Sequence, residues 1–376
     1  MVGPFCVEWE RRRVREEVGQ TGRRVGVLIV DDTATIRRMI RALLEGDPRL
    51  CVLGEAADPY EARELIKRLR PDVLTLDVEM PRMNGLVFLE KLMRLRPMPV
   101  VMVSTRTAEQ TEDALTALSL GAIDCVDLRL LRMGDTRVAP IGDTLVAAAR
   151  SPIARRTRRP LPVPTRQSGP ASVASSFRWN GRFVVMGSST GGVDALLTVL
   201  SGFPKNCAPA VIAQHMPPHF IESFAARLDA MTPPVVRVAR DGDALVQGRI
   251  LLAPGGDFHA ALTRDFPPRI TLVRDRSGYL HVPSVACLFG SAAAHSRKAV
   301  GVMLTGMGRD GAREMKSMRD AGARTIVQSG PTSTVDGMPR AARELGAAEE
   351  VVPLDAISHR ILSLTGTQRG VPRPSP

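Results

Sequence analysis

The feature that most constrains this chain is an alternation of short apolar runs with amphipathic stretches, met twice and interrupted once. Over residues 25–130, VGVLIV (25–30), CVLGEAA (51–57), VLTLD (73–77), VVMVS (100–104) and a run at about 123–126 read as buried strands. Between them, ATIRRMIRALLEG (34–46), YEARELIKRLR (60–70), GLVFLEKLMRL (85–95) and TEDALTALSLG (111–121) space their apolar residues as helices do. Strict alternation predicts a doubly wound parallel sheet, α/β in class. The same grammar returns with FVVMG (183–187), VDALLTVLSGF (193–203), PAVIAQH (209–215) and FIESFAARLDAM (220–231). It continues through PPVVRVA, RILLAPGG, a less regular β-rich stretch, AVGVMLTG (299–306), GAREMKSMRDAG (311–322), ARTIVQS and MPRAARELG. A second doubly wound α/β domain is expected, and it is not a sequence repeat of the first.

Between the two lies a stretch of different composition. From about Met133 to Asn180 it carries Pro140, Pro152, Pro160, Pro162, Pro164 and Pro170, which predicts a semi-extended tether. Between Asp143 and Asp194 there are eight arginines and no acidic residue, so this stretch supplies +8 of the net +12. A nucleic-acid binder more often carries its basic excess on a folded face. The arginines read as a solvated, self-repelling tether, with contact to an acidic partner as the other reading. A short amphipathic piece, IGDTLVAAAR (141–150), interrupts it. The expected partition is an extension at 1–24, domains at 25–130 and 181–366, a linker at 131–180 and a tail at 367–376. Five cysteines, odd in number and dispersed without CxxC, fit a reducing cytoplasm and offer no metal framework. No run approaches the roughly 18 apolar residues of a membrane span. Residues 1–24 carry charges where a secretion signal would be apolar. No membrane insertion is expected, and the expected location is cytoplasmic.

Ligands of parallel sheets collect beyond the carboxyl ends of the strands. Asp31 and Asp32 follow the first strand, Asp77 ends the third and Ser104 the fourth. Packed carboxylates repel unless a cation neutralises them, and their oxygens suit Mg²⁺. A carboxylate beside Mg²⁺ can attack phosphorus, and a hydroxyl at Ser104 could bond the new phosphoryl oxygens. Singly, each Asp reads equally well as a helix cap or a solvated loop residue. Together with LDVEMPRMNG (76–85), residues 25–130 resemble the receiver domain of two-component response regulators. The resemblance implies Asp77 as phosphoacceptor, Asp31 and Asp32 as the acidic pair sharing Mg²⁺ with it, and Ser104 as switch hydroxyl. It also implies a histidine kinase as phosphodonor. Leu128 stands where receivers usually carry lysine, with Arg129 beside it, and leucine brings no charge to a phosphoryl group.

After the strand FVVM comes Gly187-Ser188-Ser189-Thr190-Gly191-Gly192. A dinucleotide-type phosphate loop would need GxGxxG, and serine stands where its second glycine belongs. Gly-x-Ser-x-Gly fits at 187–191, a serine raised on a tight strand-to-helix turn; Ser189 could equally be a helix N-cap. His215 ends the next strand, so it falls at the same sheet edge and could take the serine's proton. Asp310 lies in the turn LTGMGRDGA and could orient the imidazole, while the backbone near Met307 and Gly308 could face an oxyanion. The plainer readings are a structural histidine at a strand end and an aspartate capping a helix. His219, His259, His281, His295 and His359 are less well placed.

GSSTGG, QHMPP, LLAPGG, HVPSV, LTGMGRDGA and VDGMPRAARELGA resemble the catalytic domain of chemotaxis protein-glutamate methylesterases of the CheB type, over about residues 180–365. The resemblance implies Ser189 as nucleophile, His215 as base and Asp310 as orienting acid. Met307, through its backbone, and Thr190 would support the oxyanion, with no cofactor at this site. It further implies hydrolysis of glutamyl methyl esters on methyl-accepting chemotaxis receptors, deamidation of receptor glutamines, and control by receiver phosphorylation. Tyr279, Leu280 and Val282 stand where the family often has asparagine and arginines. Two other outputs compete. A transcriptional regulator would need a compact helical DNA-reading module, which 180–376 does not resemble, so no specific nucleic-acid partner is expected. A phosphorylation-responsive scaffold would leave the serine site vestigial.

Overall fold

Both large sheets are parallel throughout in the computed structural model, which describes residues 23–104, 111–128, 141–151, 177–275 and 279–367. The first unit contains β1 (Val25–Val30), α1 (Ala34–Glu45), β2 (Leu50–Ala56), α2 (Pro59–Leu69), β3 (Val73–Asp77) and α3 (Gly85–Leu95). There follow β4 (Val100–Ser104), the connecting α4 (Thr111–Ser119), β5 (Asp124–Asp127) and α5 (Ile141–Ala149). The strand order is β2-β1-β3-β4-β5. All six residues of β1 are buried, as in a strand with both faces covered by helices. The order reverses between β1 and β3, so Asp31, Asp32 and Asp77 gather at that switch point.

The segment 141–150, expected within the 131–180 linker, is instead part of the first unit. Helix α5 packs on α1 and on β1, β3, β4 and β5, burying Ile141, Leu145, Val146 and Ala148. Its apolar content is too high for a solvated tether, and Asp143 pairs with Arg49. Gly142 permits the approach, because a Cβ there would stand 2.6 Å from Asp47 Oδ2. Residues 1–22, 131–140, 152–176 and 368–376, where the extension, most of the linker and the tail were expected, lie outside the described residues.

The second unit opens with β6 (Phe183–Ser188), α6 (Gly192–Ser201), β7 (Ala210–Gln214), α7 (Pro218–Met231), β8 (Val235–Val238) and β9 (Arg249–Leu252). The less regular stretch becomes an antiparallel ribbon, β10 (Phe258–Leu262) with β11 (Ile270–Arg274), followed by α8 (Val285–Ala292) and a 3-10 segment at Ala293–Lys298. Then come β12 (Ala299–Met303), α9 (Ala312–Asp320), β13 (Arg324–Gln328), α10 (Gly337–Glu344), β14 (Glu350–Val352) and α11 (Leu354–Thr365). Two elements thus lie beyond MPRAARELG, the last stretch read from the sequence. Helix α11 buries Ile357, Ile361 and Leu364 at helical spacing, and β14 adds a three-residue edge strand.

The order β14-β13-β12-β6-β7-β9-β8 puts β6 between β12 and β7, where chain direction across the sheet reverses. Ser188 pairs with Gln214 in the β6–β7 register, so the next residues along, Ser189 and His215, are neighbours at the carboxyl edge. Adjacent strands lie about 4.8 Å apart. Met303 pairs with Gly187 on the other side, which brings the loop after β12 over the same edge.

Leu145 is fully buried, so Leu145→Ala should destabilise the first unit by about 2–5 kcal/mol. Hydrogen exchange on the full chain checks this: β1 and β3 amides should exchange faster. Unchanged protection would mean that α5 contributes nothing to this unit.

Candidate active site

Ser189 follows β6 directly and is held by its main chain. Its N–H donates to Thr305 O at 3.0 Å; its carbonyl accepts from Gly192 N at 2.7 Å and from Gln214 Nε2 at 3.0 Å. Gly191, at φ +78°, is the N-cap of α6, so Ser189 does not cap that helix. A Cβ on Gly191 would meet Thr334 Cβ at 2.4 Å, and one on Gly192 would meet Gln214 Oε1 at 2.0 Å. The glycines are thus needed for close packing of the turn. Thr190 is buried, and its carbonyl accepts from Thr305 Oγ1 at 3.0 Å.

Buried Gln214 joins the serine turn to the next strand. It accepts from Ser188 Oγ at 2.6 Å and donates to both Ser189 O and His215 O at 3.0 Å. Sequence reasoning missed Gln214 and Thr305, although both stand inside the motifs it quoted.

His215 donates its main-chain N–H to Ser188 O at 3.0 Å, which keeps it beside the serine turn. Its Nε2 lies 2.8 Å from Asp310 Oδ2. Its Nδ1 is buried and has no hydrogen-bond partner among the described residues. The ring stacks on His281, with centroids 4.1 Å apart and planes at 30°.

Asp310 does not cap α9, whose N-cap is Gly311. It lies instead against the start of α8, accepting from Val285 N at 2.7 Å, Ala286 N at 3.2 Å and Ser284 Oγ at 3.1 Å. Ser284 in turn caps α8 by accepting from Cys287 N at 3.2 Å. Burial of the carboxyl would raise its pKa, but the hydrogen bond and charge of His215 and the two backbone donors carry it below the usual carboxylate range. Gly311 allows this approach, since a Cβ there would stand 2.4 Å from Val285 Cγ1.

The loop after β12 leans on the serine: a Cβ on Gly306 would lie 2.8 Å from Ser189 Cβ. Gly306 donates to Val335 O and accepts from Met338 N, whereas the Met307 N–H donates to no group among the described residues. A hydroxyl, an imidazole with one nitrogen left over, an ionised carboxylate and a spare backbone donor are the parts of a serine acyl-transfer site. Tyr279 and Leu280 are exposed large side chains in the segment leading to His281.

In the first unit, carboxylate oxygens of Asp31, Asp32 and Asp77 all lie within 4.8 Å of one another. Burial, then the charges of Asp31, Asp32 and Glu79, raises the Asp77 pKa to about 7. Burial, with the charge of Asp32, raises Asp31 to about 6, against the lowering effects of the Thr33 N–H and Arg37. An all-oxygen set with such raised proton affinity fits a hard divalent cation. Ser104 ends β4 opposite Asp127, one step beyond the Val103 that pairs with Asp77; its side chain lies outside the described atoms. Leu128 is fully buried, and Arg129 lies outside the described residues.

Residues 184–361 match the CheB methylesterase family, and residues 27–128 match the response regulator receiver domain. The chain is 50% identical over 344 residues to a protein-glutamate methylesterase/protein-glutamine glutaminase 1 of Rhizobium johnstonii, covering 91% of this chain and 97% of that protein. It is 48% identical over 350 residues to a protein of the same name from Caulobacter vibrioides, covering 92% of this chain and 99% of that one. Among solved structures, the Thermotoga maritima CheB methylesterase catalytic domain is similar at 35% identity and a TM-score of 0.46, covering 49% of this chain and 99% of that chain.

Raised carboxyl pKa values mean that the folded first unit keeps protons the unfolded chain releases. Its stability should fall as pH rises from about 4 to about 7. Added Mg²⁺ should therefore raise the thermal midpoint of this unit strongly near pH 8 and little near about pH 5. Equal shifts at both would contradict a proton-competing site at Asp31, Asp32 and Asp77.

Proposed function

The chain belongs to the family of protein-glutamate methylesterases/protein-glutamine glutaminases that carry a receiver domain, and from there we propose how its own residues do this work. Ser189 Oγ attacks the side-chain carbonyl of a glutamyl methyl ester while His215 Nδ1 takes its proton. The Met307 N–H, with Thr190 supporting the turn, faces the oxyanion of the tetrahedral intermediate. Collapse expels methanol, which receives the proton back from His215. Water, deprotonated by the same nitrogen, then attacks the acyl-enzyme and frees the glutamate. With a glutamine side chain the leaving group is ammonia and the rest is unchanged. Asp310 holds Nε2 throughout and stabilises the imidazolium.

The observation that carries this reading is the His215–Asp310 pair at 2.8 Å, one strand from Ser189, with His215 Nδ1 buried and unpartnered among the described residues. A vestigial site on a scaffold would not be expected to keep an ionised carboxylate, an oriented imidazole and a spare peptide donor together. A DNA-reading output finds no helical module among the described residues, since those after 177 build one α/β unit.

The substrates are methyl-accepting chemoreceptors, at side chains on their cytoplasmic helices. No helix among the described residues is long and apolar enough to cross a membrane. Asp77 accepts the phosphoryl group of a histidine kinase. Asp31, Asp32 and Asp77 would hold Mg²⁺, which when bound neutralises these carboxylates and the charge of the incoming group. Phosphorylation at Asp77 raises the esterase rate.

Methanol release from a methylated receptor should fall at least about a thousandfold on Ser189→Ala. Unchanged release would reject the assignment. A small-molecule acyl-phosphate donor should speed the wild-type chain and leave Asp77→Asn unaffected; an equal response from both would remove the regulatory role of Asp77.

A further inference from the structure

We propose that His259, deep in the second unit, is a positioning residue for the Asp310 carboxylate and acts through the cap of α8. The proposal rests on the esterase reading and adds a residue to it. His259 lies on β10 and is fully buried. Its Nδ1 accepts the main-chain N–H of Ser284 at 3.1 Å. Accepting there requires a lone pair on Nδ1, so the ring carries its proton on Nε2. That nitrogen faces Asp275 Oδ1 at 3.5 Å, beyond a direct hydrogen bond but of the right sign to favour this tautomer. The ring of Tyr279 closes the site, with centroids 4.9 Å apart.

Ser284 is the residue through which this hold reaches the chemistry. Its Oγ donates to both carboxylate oxygens of Asp310, at 3.1 and 3.3 Å, and the next two peptide N–H groups point at the same carboxylate. Three residues earlier, His281 stacks on the ring of His215. The short segment 281–284 therefore touches both the imidazole and the carboxylate of the pair. A hydrogen bond from Ser284 N to His259 fixes that segment from behind. Losing the acceptor strands a buried N–H and frees the cap to shift. The carboxylate then loses register with His215 Nε2, an effect passed on through Ser284. The effect should fall on turnover rather than on substrate binding, because His259 is wholly enclosed by protein.

The test compares three full-length variants in the methanol-release assay, with thermal midpoints measured alongside. Asn can present its Oδ1 where Nδ1 stood, Gln presents its amide nearer the Nε2 position, and Leu offers no acceptor. His259→Asn should stay within about threefold of the wild-type kcat, while His259→Leu and His259→Gln should lose about tenfold or more with KM within about twofold. If Leu does not fold, the Asn–Gln pair carries the comparison. Equal losses in Asn and Gln, or wild-type kcat in all three, would overturn the role of His259. A wild-type rate in Ser189→Ala would instead overturn the esterase reading itself.

Discussion

The carboxylate of Asp310 seated on the first turn of α8 is the contact around which the serine site is arranged. Burial pushes an aspartate toward taking up a proton; this one is held below the usual range by His215 and then by two peptide N–H groups. Because it remains ionised, it fixes which nitrogen of His215 it engages, at 2.8 Å. The other nitrogen, Nδ1, is buried and has no hydrogen-bond partner among the described residues. In the proposed reaction the imidazole is used the opposite way round from the chymotrypsin-type arrangement, where the carboxylate holds Nδ1 and Nε2 serves the serine. The order of residues along the chain differs as well, so the resemblance between the two is one of roles.

Two sites in one chain show how far its neighbours decide the behaviour of a buried aspartate. Asp77 ends a parallel strand, Asp310 lies in the loop that follows one, and both are substantially enclosed. Burial, and then the like charges beside it, raise the Asp77 pKa to about 7, whereas His215 and two peptide donors lower that of Asp310 against its burial. The first arrangement favours a cation and a phosphoryl group; the second favours a permanently charged partner for an imidazole. Neither behaviour follows from burial alone. Each switch point is a meeting place of strand ends, and the sequence of the loops beyond them sets the chemistry.

Much of this was legible in the residues. The alternation of apolar runs and amphipathic stretches marks most strands and helices to within a few residues, since buried parallel strands and surface helices have different periods. Ser189 and His215 were legible as residues at strand ends, and Asp310 as a residue of the turn LTGMGRDGA. Less legible was α5, whose small apolar residues sit among prolines and arginines that dominate the composition of their surroundings. The ribbon β10–β11 and α8 were read only as an irregular stretch, although α8 supplies the donors that hold Asp310. Gln214, Thr305 and His259 act through hydrogen bonds to peptide groups of distant segments, and no spacing along the chain announces those partners.

The orientation of the His215 ring is the claim on which the proposed reaction stands, and nitrogen-15 NMR of the labelled full-length chain reads it directly. The account predicts a neutral ring protonated at Nε2, with that proton in the hydrogen bond to Asp310 and Nδ1 bearing the lone pair. Replacement of Asp310 by Asn should remove the hydrogen-bond signature at Nε2. A ring protonated at Nδ1, with an Nε2 signal indifferent to Asp310, would contradict the arrangement and with it the route of the serine proton.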